Sequence, residues 1–470
     1  MSAINTNVSS LIAQNALSQN NQALNTSLTR LSTGLKINTG EDNPSGLIAA
    51  NDLKDQQAGI NQAISNAQQA DNVIGTAAGG LTEVSSLLTQ LQSLVSQTAN
   101  SGGLSTEQID ANQQQVDSIL DTINRVAGST QFGGKQLLNG DYAYTTSSTG
   151  TSAFASIQVN AAQLADNATT AVVVQVTGSA TTGKLVNTQT TSALTANVSL
   201  QVAGASGTSQ LSFASGTKLS AVAAAFNNIK GATGVSAHAS GATLQLNSDG
   251  YGSTQFVSVT ATSGTFTTTG GSGGKASGTD AQVTVNGAAA TSVGKNVTYT
   301  SDNLNVQFVL SSALNAGQTK TFGITGGGAT FALGEQVDQA STASIGIQAV
   351  TTGSLGDATT GYLSTLGSGG VNSLTSGNLT TAQNILTEAI NQVSTLNGRL
   401  GSFQEYTLGS TINNLSVAYE NASSALSNTE DTNFASETAN LTRAQILVSS
   451  ATTVLSTANS QPQNVLKLLG

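Results

Sequence analysis

The sequence predicts an α+β protein: discontinuous N- and C-terminal α-helical coiled-coil and bundle domains, with a β-rich outer region inserted between them. Three observations carry that expectation. Apolar residues recur at heptad spacing toward both ends, and the period changes to two between residues 142 and 325. With 4% aromatic and 8% charged residues in a chain of 470, any core must be built from Leu, Ile, Val and Ala, which suits long helices.

Taken in order, Leu17, Leu24 and Leu31 form a seven-residue series supported by Leu28 and Leu35. Asn43 before Pro44 reads as an N-cap followed by proline in the first helical turn. From Ile60 two series interleave: Ile60, Ala67, Ile74, Leu81, Leu88 and Val95, with Ala63, Ala70, Ala77, Val84 and Leu91 three residues behind. These are the a and d positions of a heptad, and they draw one narrow seam along a long helix. Gly75, Gly79 and Gly80 interrupt it and suggest a local bend. Ser105 and Gln108 form a capping-box pair, with Leu104 and Ile109 placed as a staple. Ile109, Val116 and Ile123, joined by Ile119 and Val126, continue to a stop at Gly128. The short link at residues 100–104 makes the two helices an expected hairpin.

Residues 171–176, 198–202, 243–246, 256–259, 281–285 and 304–310 read as strands separated by Gly, Ser, Thr and Asn turns. Residues 219–229 read as a helix within that region. Toward the C-terminus, Ala389, Val393, Leu396, Leu400 and Phe403 share a face. After a slip in register come Leu408, Ile412, Leu415, Tyr419, Ala422 and Leu426. Phe434, Leu441, Val448 and Leu455 are again heptad-spaced, trailed by Ala444, Ala451 and Ala458, and Pro462 is expected to end or bend that helix. Each terminal helix carries a seam and little else to bury it against, so the expected partner is the other terminus.

Composition excludes several chemistries. With no cysteine there is no disulfide, thiol nucleophile or thiolate metal site, and a single histidine, His238, cannot supply the usual multi-histidine zinc site. His238 falls in an alternating segment and is expected on an exposed strand. No cofactor, metal or catalytic residue is expected, and no HExxH pattern is present. The net charge of −10 and the lack of any Lys/Arg cluster disfavour nucleic acid. Residues 142–325 hold 6 Lys and 4 Asp, so the acidity belongs to the helical ends. No run of about 18 apolar residues is present, so membrane insertion is not expected. Residues 1–29 carry no charge, which argues against a Sec-type signal peptide.

The opening MSAINTNVSSLIAQNALSQNNQALNTSLTRLSTGLKIN resembles bacterial flagellin, as do DNPSGLIAANDLKDQQAGINQAISNAQQADNVIGTAAGGLTEVSSLLTQLQSLVSQTAN and QFGGKQLLNG. NTEDTNFASETANLTRAQILVSSATTVLSTANSQPQNVLKLL resembles the other end of that family, in the expected order. The resemblance covers roughly the first 140 and last 100 residues. It implies a structural subunit that self-assembles into the flagellar filament for swimming motility. The subunit would be secreted through type III export and extracellular, with itself, an export chaperone, the filament cap and hook-associated proteins as partners. Residues 1–42 and 430–470 would form an inner coiled-coil layer. Residues 43–141 and 326–429 would form the helical-bundle assembly domain, and 142–325 a variable surface region of one or two modules. A flagellin insertion-like unit is placed near 195–265.

Assembly and packing are assigned to Leu17, Leu24, Leu31, Leu81, Leu88, Leu91, Val95, Phe434, Leu441, Val448 and Leu455. Residues 29–50 resemble the flagellin segment sensed by plant immune receptors, but depart from it around residues 40–44. Leu88, Gln90, Leu91 and Leu94 are candidate contacts for an animal innate immune receptor. Where that family's sensed helix presents arginines this chain has Gln90 and Gln92, so weak recognition is expected. The alternatives are a hook-filament junction protein and, less favoured, a secreted adhesin.

Overall fold

The computed structural model describes residues 6–100, 103–148, 153–164, 169–301, 303–336, 338–358 and 360–469. Its helices are α1 (Val8–Thr33), α2 (Pro44–Ala99), α3 (Thr106–Ser129), α4 (Leu219–Asn228), α5 (Lys230–Thr233), α6 (Leu379–Ser402), α7 (Ser410–Glu430) and α8 (Phe434–Leu469). Two compact units divide the chain. One holds residues 1–68, 332–341 and 408–470; the other holds 69–331 and 342–407.

The first unit is helical. α1 starts on Asn7, whose side chain accepts the Ser10 amide, and stops at Gly34, where φ is +78°. That left-handed turn costs glycine nothing and lets its N–H close on Arg30 C=O. α2 begins as the Asn-Pro pair indicates, with Asn43 Oδ1 accepting the Gly46 amide at 3.0 Å. α2 then continues unbroken through Gly75, Gly79 and Gly80. Every residue of its two interleaved series, from Ile60 to Val95, is buried.

α8 runs through Pro462 to Leu469, so proline does not end it. A proline removes one intrahelical hydrogen bond, and the helix-favouring Leu and Lys that follow carry the next turns.

In the second unit the capping box forms as read: Ser105 caps the Gln108 amide and Gln108 Oε1 accepts the Ser105 amide at 2.8 Å. α3 passes Gly128 and closes on an extended Thr130. The Thr130 hydroxyl and amide both bond Val126 C=O, so no left-handed glycine is needed. Asn112 donates to Thr98 Oγ1 at 3.2 Å, tying α3 to the end of α2. Gln131–Phe132 and Lys135–Gln136 then pair as a hairpin around Gly133 and Gly134, with φ of +58° and +80°. Two consecutive left-handed residues make the tight turn that matches strand twist.

The slip in the C-terminal pattern has a structural cause. Residues Phe403–Gly409 form a π-helical turn between α6 and α7. Phe403 and the fully buried Leu408 are five apart, the repeat of a π-helix and not of an α-helix.

The strands between are antiparallel. They build two separate hydrophobic cores, the residues of one, here called inner, falling in sequence between the two halves of the other. The outer core gathers Phe154, Val174, Val283, Val306, Phe308 and Phe322, its three phenylalanine rings meeting edge to face at 5.5–6.3 Å. The inner core gathers Leu185, Leu200, Val222, Phe226, Leu246 and Val257 around α4. Each strand read from the sequence is present, at Thr170–Gly178, Val198–Gly204, Thr243–Ser248, Phe256–Ser263, Gln282–Val285 and Leu304–Leu310. His238 is exposed on the strand Val235–Ser240, opposite Gln245. Among the described residues no helix is long and apolar enough to cross a membrane.

Candidate assembly surface

The unit formed by the chain's two ends has α1 and α8 packed antiparallel. Asn7 Nδ2 donates to Ala458 C=O at 2.8 Å, Asn20 Nδ2 to Leu447 C=O at 3.4 Å, and Ser27 Oγ to Glu437 Oε1 at 2.6 Å. The seam follows a full heptad on each helix. On α1 it is Ser10, Ala13, Leu17, Asn20, Leu24, Ser27 and Leu31; on α8 it is Glu437, Leu441, Ala444, Val448, Ala451, Leu455 and Ala458. Its buried members are all small or polar: Ser10, Ala13, Ser27, Glu437, Ala444 and Ala458. Leu17, Leu24, Leu31, Leu441, Val448 and Leu455 are half-buried.

Phe434 stands outside this seam, 60% exposed at the first residue of α8. The main chain already holds that end of the pair, through Thr432 N–H to Gly34 C=O at 2.8 Å. Leu81, Leu88, Leu91 and Val95 are buried on α2 at 0–1% exposure. Leu88 and Leu91, two of the four candidate receptor contacts, are among these buried residues. Of the four candidates, Gln90 is exposed and Leu94 half-buried.

Away from the seam, α1 shows solvent Val8, Leu11 and Ile12 at 59%, 65% and 65% exposure. Spaced i, i+3 and i+4, they form one stripe. α8 exposes Ile446 and Val454 at 61% and 57%, and α7 exposes Val417 at 56%. α1 and α8 carry three charged residues between them through residue 460, namely Arg30, Glu437 and Arg443. Scattered exposed aliphatics are ordinary, but a stripe of them on helices nearly free of charge is the pattern of a contact face.

One polar device holds the turn between α1 and α2, and another ties α2 to the end of α7. The Asp42 carboxylate accepts the amides of Asn38 and Thr39, both at 3.0 Å, and lies 3.4 Å from Arg30. Those amides, Asn38 first, hold its pKa below the usual carboxylate value, with the Thr39 hydroxyl and Arg30 adding to the effect. Lys54 Nζ meets the buried Glu430 at 2.7 Å. Among the described residues no cluster of His, Cys, Asp and Glu is arranged to hold a metal ion.

Residues 4–143 match the family described as bacterial flagellin N-terminal helical region, and residues 383–469 match bacterial flagellin C-terminal helical region. The chain is 30% identical to a flagellin of Salmonella typhimurium, over 99% of each chain. It is 35% identical to polar flagellin F of Vibrio parahaemolyticus over 33% of this chain, a match that spans 41% of that protein. Among solved structures it is similar to FliC of Burkholderia pseudomallei, at 18% identity and a TM-score of 0.25, covering 72% of this chain and 99% of that one. The structural likeness is too slight to add to the sequence match.

Proposed function

The chain belongs to the bacterial flagellin family, and from that premise we propose that it is a structural subunit that polymerises into the helical flagellar filament. The observation that carries the reading is the exposed aliphatic stripe on α1 and α8. Fully burying one Val, Leu or Ile stabilises by about 1.5–3 kcal/mol, so a stripe of this kind gains several such increments only when another copy covers it. Isolated, the terminal pair has a seam of small residues and half-buried leucines, and its ends are expected to fray. Ordering of the ends is therefore coupled to polymerisation.

In this reading residues 1–42 and 430–470 form the inner layer and residues 43–141 and 326–429 the assembly domain. Residues 142–325 face outward, including the insertion-like unit near 195–265. Leu17, Leu24, Leu31, Leu441, Val448 and Leu455 hold the two termini together, Leu81, Leu88, Leu91 and Val95 form the core of the assembly domain, and Phe434 is free to pack on a neighbouring copy. The protein acts outside the cell after export, with a dedicated chaperone, the cap and hook-associated proteins as transient partners, and it has no catalytic role. Recognition by an animal innate receptor is weak in this reading.

Electron microscopy of the purified protein tests the proposal. The full chain gives long helical filaments, and removal of residues 430–470 abolishes them while the second unit stays folded. A full chain that remains monomeric under polymerising conditions, or a truncated chain that still forms filaments, overturns it.

A further inference from the structure

The leucine pattern of the terminal pair does not define its register. On α1 the large seam residues Leu17, Leu24 and Leu31 repeat every seven, and on α8 so do Leu441, Val448 and Leu455. Sliding one helix past the other by seven residues, about 10 Å, lays the same rows of large residues on one another. The bonds from Asn7 and Asn20 are equally tolerant, because their acceptors are main-chain carbonyls that every register offers.

Ser10 and Asn459 meet side chain to side chain toward the far end, and the other groups that distinguish registers are gathered at the base of the pair. Leu35 bridges Asp431, and Lys36 N–H donates to Glu430 C=O at 2.7 Å. Lys36 Nζ reaches Asn428 C=O at 2.7 Å. The Glu430 carboxylate, 7% exposed, is paired with Lys54 at 2.7 Å, and one heptad further on the buried Glu437 carboxylate takes its hydrogen bond from Ser27. Two carboxylates shielded from water each have one donor from another helix in this register, Lys54 of α2 for Glu430 at the end of α7 and Ser27 of α1 for Glu437, which also takes the Asn440 side-chain amide within α8. A slip of seven places Glu437 opposite Asn20 in one direction and opposite Gly34 in the other, and parts Glu430 from its place beside Lys36. Removing the partner of a buried charge costs far more than the pair itself contributes, which makes such pairs poor sources of stability and good selectors of arrangement.

We propose that a polar clamp at the base, formed by Glu430 with Lys54 and Glu437 with Ser27, sets the register of the terminal helix pair. The large apolar rows supply adhesion without alignment. The clamp lies within one chain, so the inference does not depend on polymer formation.

The absence of cysteine makes the test direct. Ser10 and Asn459 side chains meet at 2.6 Å, so Ser10→Cys with Asn459→Cys reports the native register. Ser10→Cys with Thr452→Cys, and Leu17→Cys with Asn459→Cys, report slips of seven in the two directions. Each cysteine pair is oxidised in the full-length chain, once with the native clamp and once with Ser27→Leu, Glu437→Leu, Lys54→Met and Glu430→Leu together. With the native clamp the native disulfide forms and the slipped ones stay at trace level, and the four-fold variant raises a slipped disulfide by about tenfold while helix content by circular dichroism is kept. Two results overturn the proposal: a four-fold variant that yields only the native disulfide, and one that loses all three disulfides, which would make the clamp necessary for pairing itself. Filament formation is scored separately, so failure of the filament reading leaves this outcome legible.

Discussion

Gly79 and Gly80 are adjacent in α2 and opposite in what a side chain would meet. A Cβ on Gly79 finds nothing within 4 Å, whereas one on Gly80 falls 2.6 Å from Thr130 Oγ1 and 2.7 Å from the fully buried Leu138. Gly79→Ala is therefore expected to stabilise the chain by about 0.5–1 kcal/mol through helix propensity. Gly80→Val should destabilise it by about 1–3 kcal/mol through overpacking. Thermal melts of the two variants check this, and melting temperatures that move in the same direction would refute the packing argument. Asp42 gives a second expectation at this scale. Its pKa is lowered in the fold, so its contribution is whole above the unfolded value of about 3.9 and is lost as pH falls through the lower folded value. Protection of the Asn38 and Thr39 amides from hydrogen exchange should hold from pH 7 to 5 and disappear only in stronger acid, and Asp42→Ala should lack that protection throughout. Protection in the Asp42→Ala chain equal to the parent's at pH 7 would show that the carboxylate does not hold the turn.

Between elements, Arg399 of α6 is the polar tie of most consequence. Its guanidinium donates to the Asn160 side-chain oxygen and, at 2.5 Å, to Gly346 C=O, with no carboxylate among these partners. Burial pulls its pKa down to about 10, with Tyr144 opposing the shift, so it is still a cation at neutral pH. Arg399→Met leaves two acceptors without a donor and is expected to cost about 2–4 kcal/mol, read by urea denaturation. Lys in its place should recover only part, because an ammonium lacks the fork that reaches both acceptors. A Met variant as stable as the parent would refute the tie. The capping box makes a smaller claim: Ser105→Ala should cost about 1 kcal/mol by the same measurement. None of Arg399's role was legible in the sequence, because a lone arginine on a helix gives no hint of which loop carbonyl it will meet. The α2 seam was legible residue by residue, since burial there follows a strict period, and the break at residues 403–408 was legible as a shifted phase. Ser10, Ser27 and Glu437 were not, because polar residues at seam positions break the pattern by which a seam is recognised. Of the two effects expected at Pro462, the ending does not occur, because α8 continues on both sides of it.

For the whole chain, alternation identified the strands but could not show that they serve two cores, since period two says which face is buried and nothing about which strand is the neighbour. The nesting of those cores in the sequence leads to the largest-scale prediction. The inner core is made entirely by residues between Leu185 and Ala276, and the outer core by residues up to Val176 and from Ala281 onward. At the junction Thr181 and Thr279 lie side by side, their main chains bonded at 2.9 and 3.2 Å and their hydroxyls at 2.8 Å. Paired β residues are about 5 Å apart at Cα, a gap that a tight turn spans without strain. The strands at Thr170–Gly178 and Gln282–Val285 are themselves hydrogen-bonded, so replacing residues 181–279 by Asn-Gly would join two strands already in register as a hairpin. The shortened chain should keep the outer core, melt within a few degrees of the parent's outer transition, and still form filaments, thinner than the parent's. Its failure to fold would mean that the inner core stabilises the outer one across their junction. Normal folding without filaments would instead place an essential inter-subunit contact in residues 181–279, contrary to an assembly surface confined to the helices.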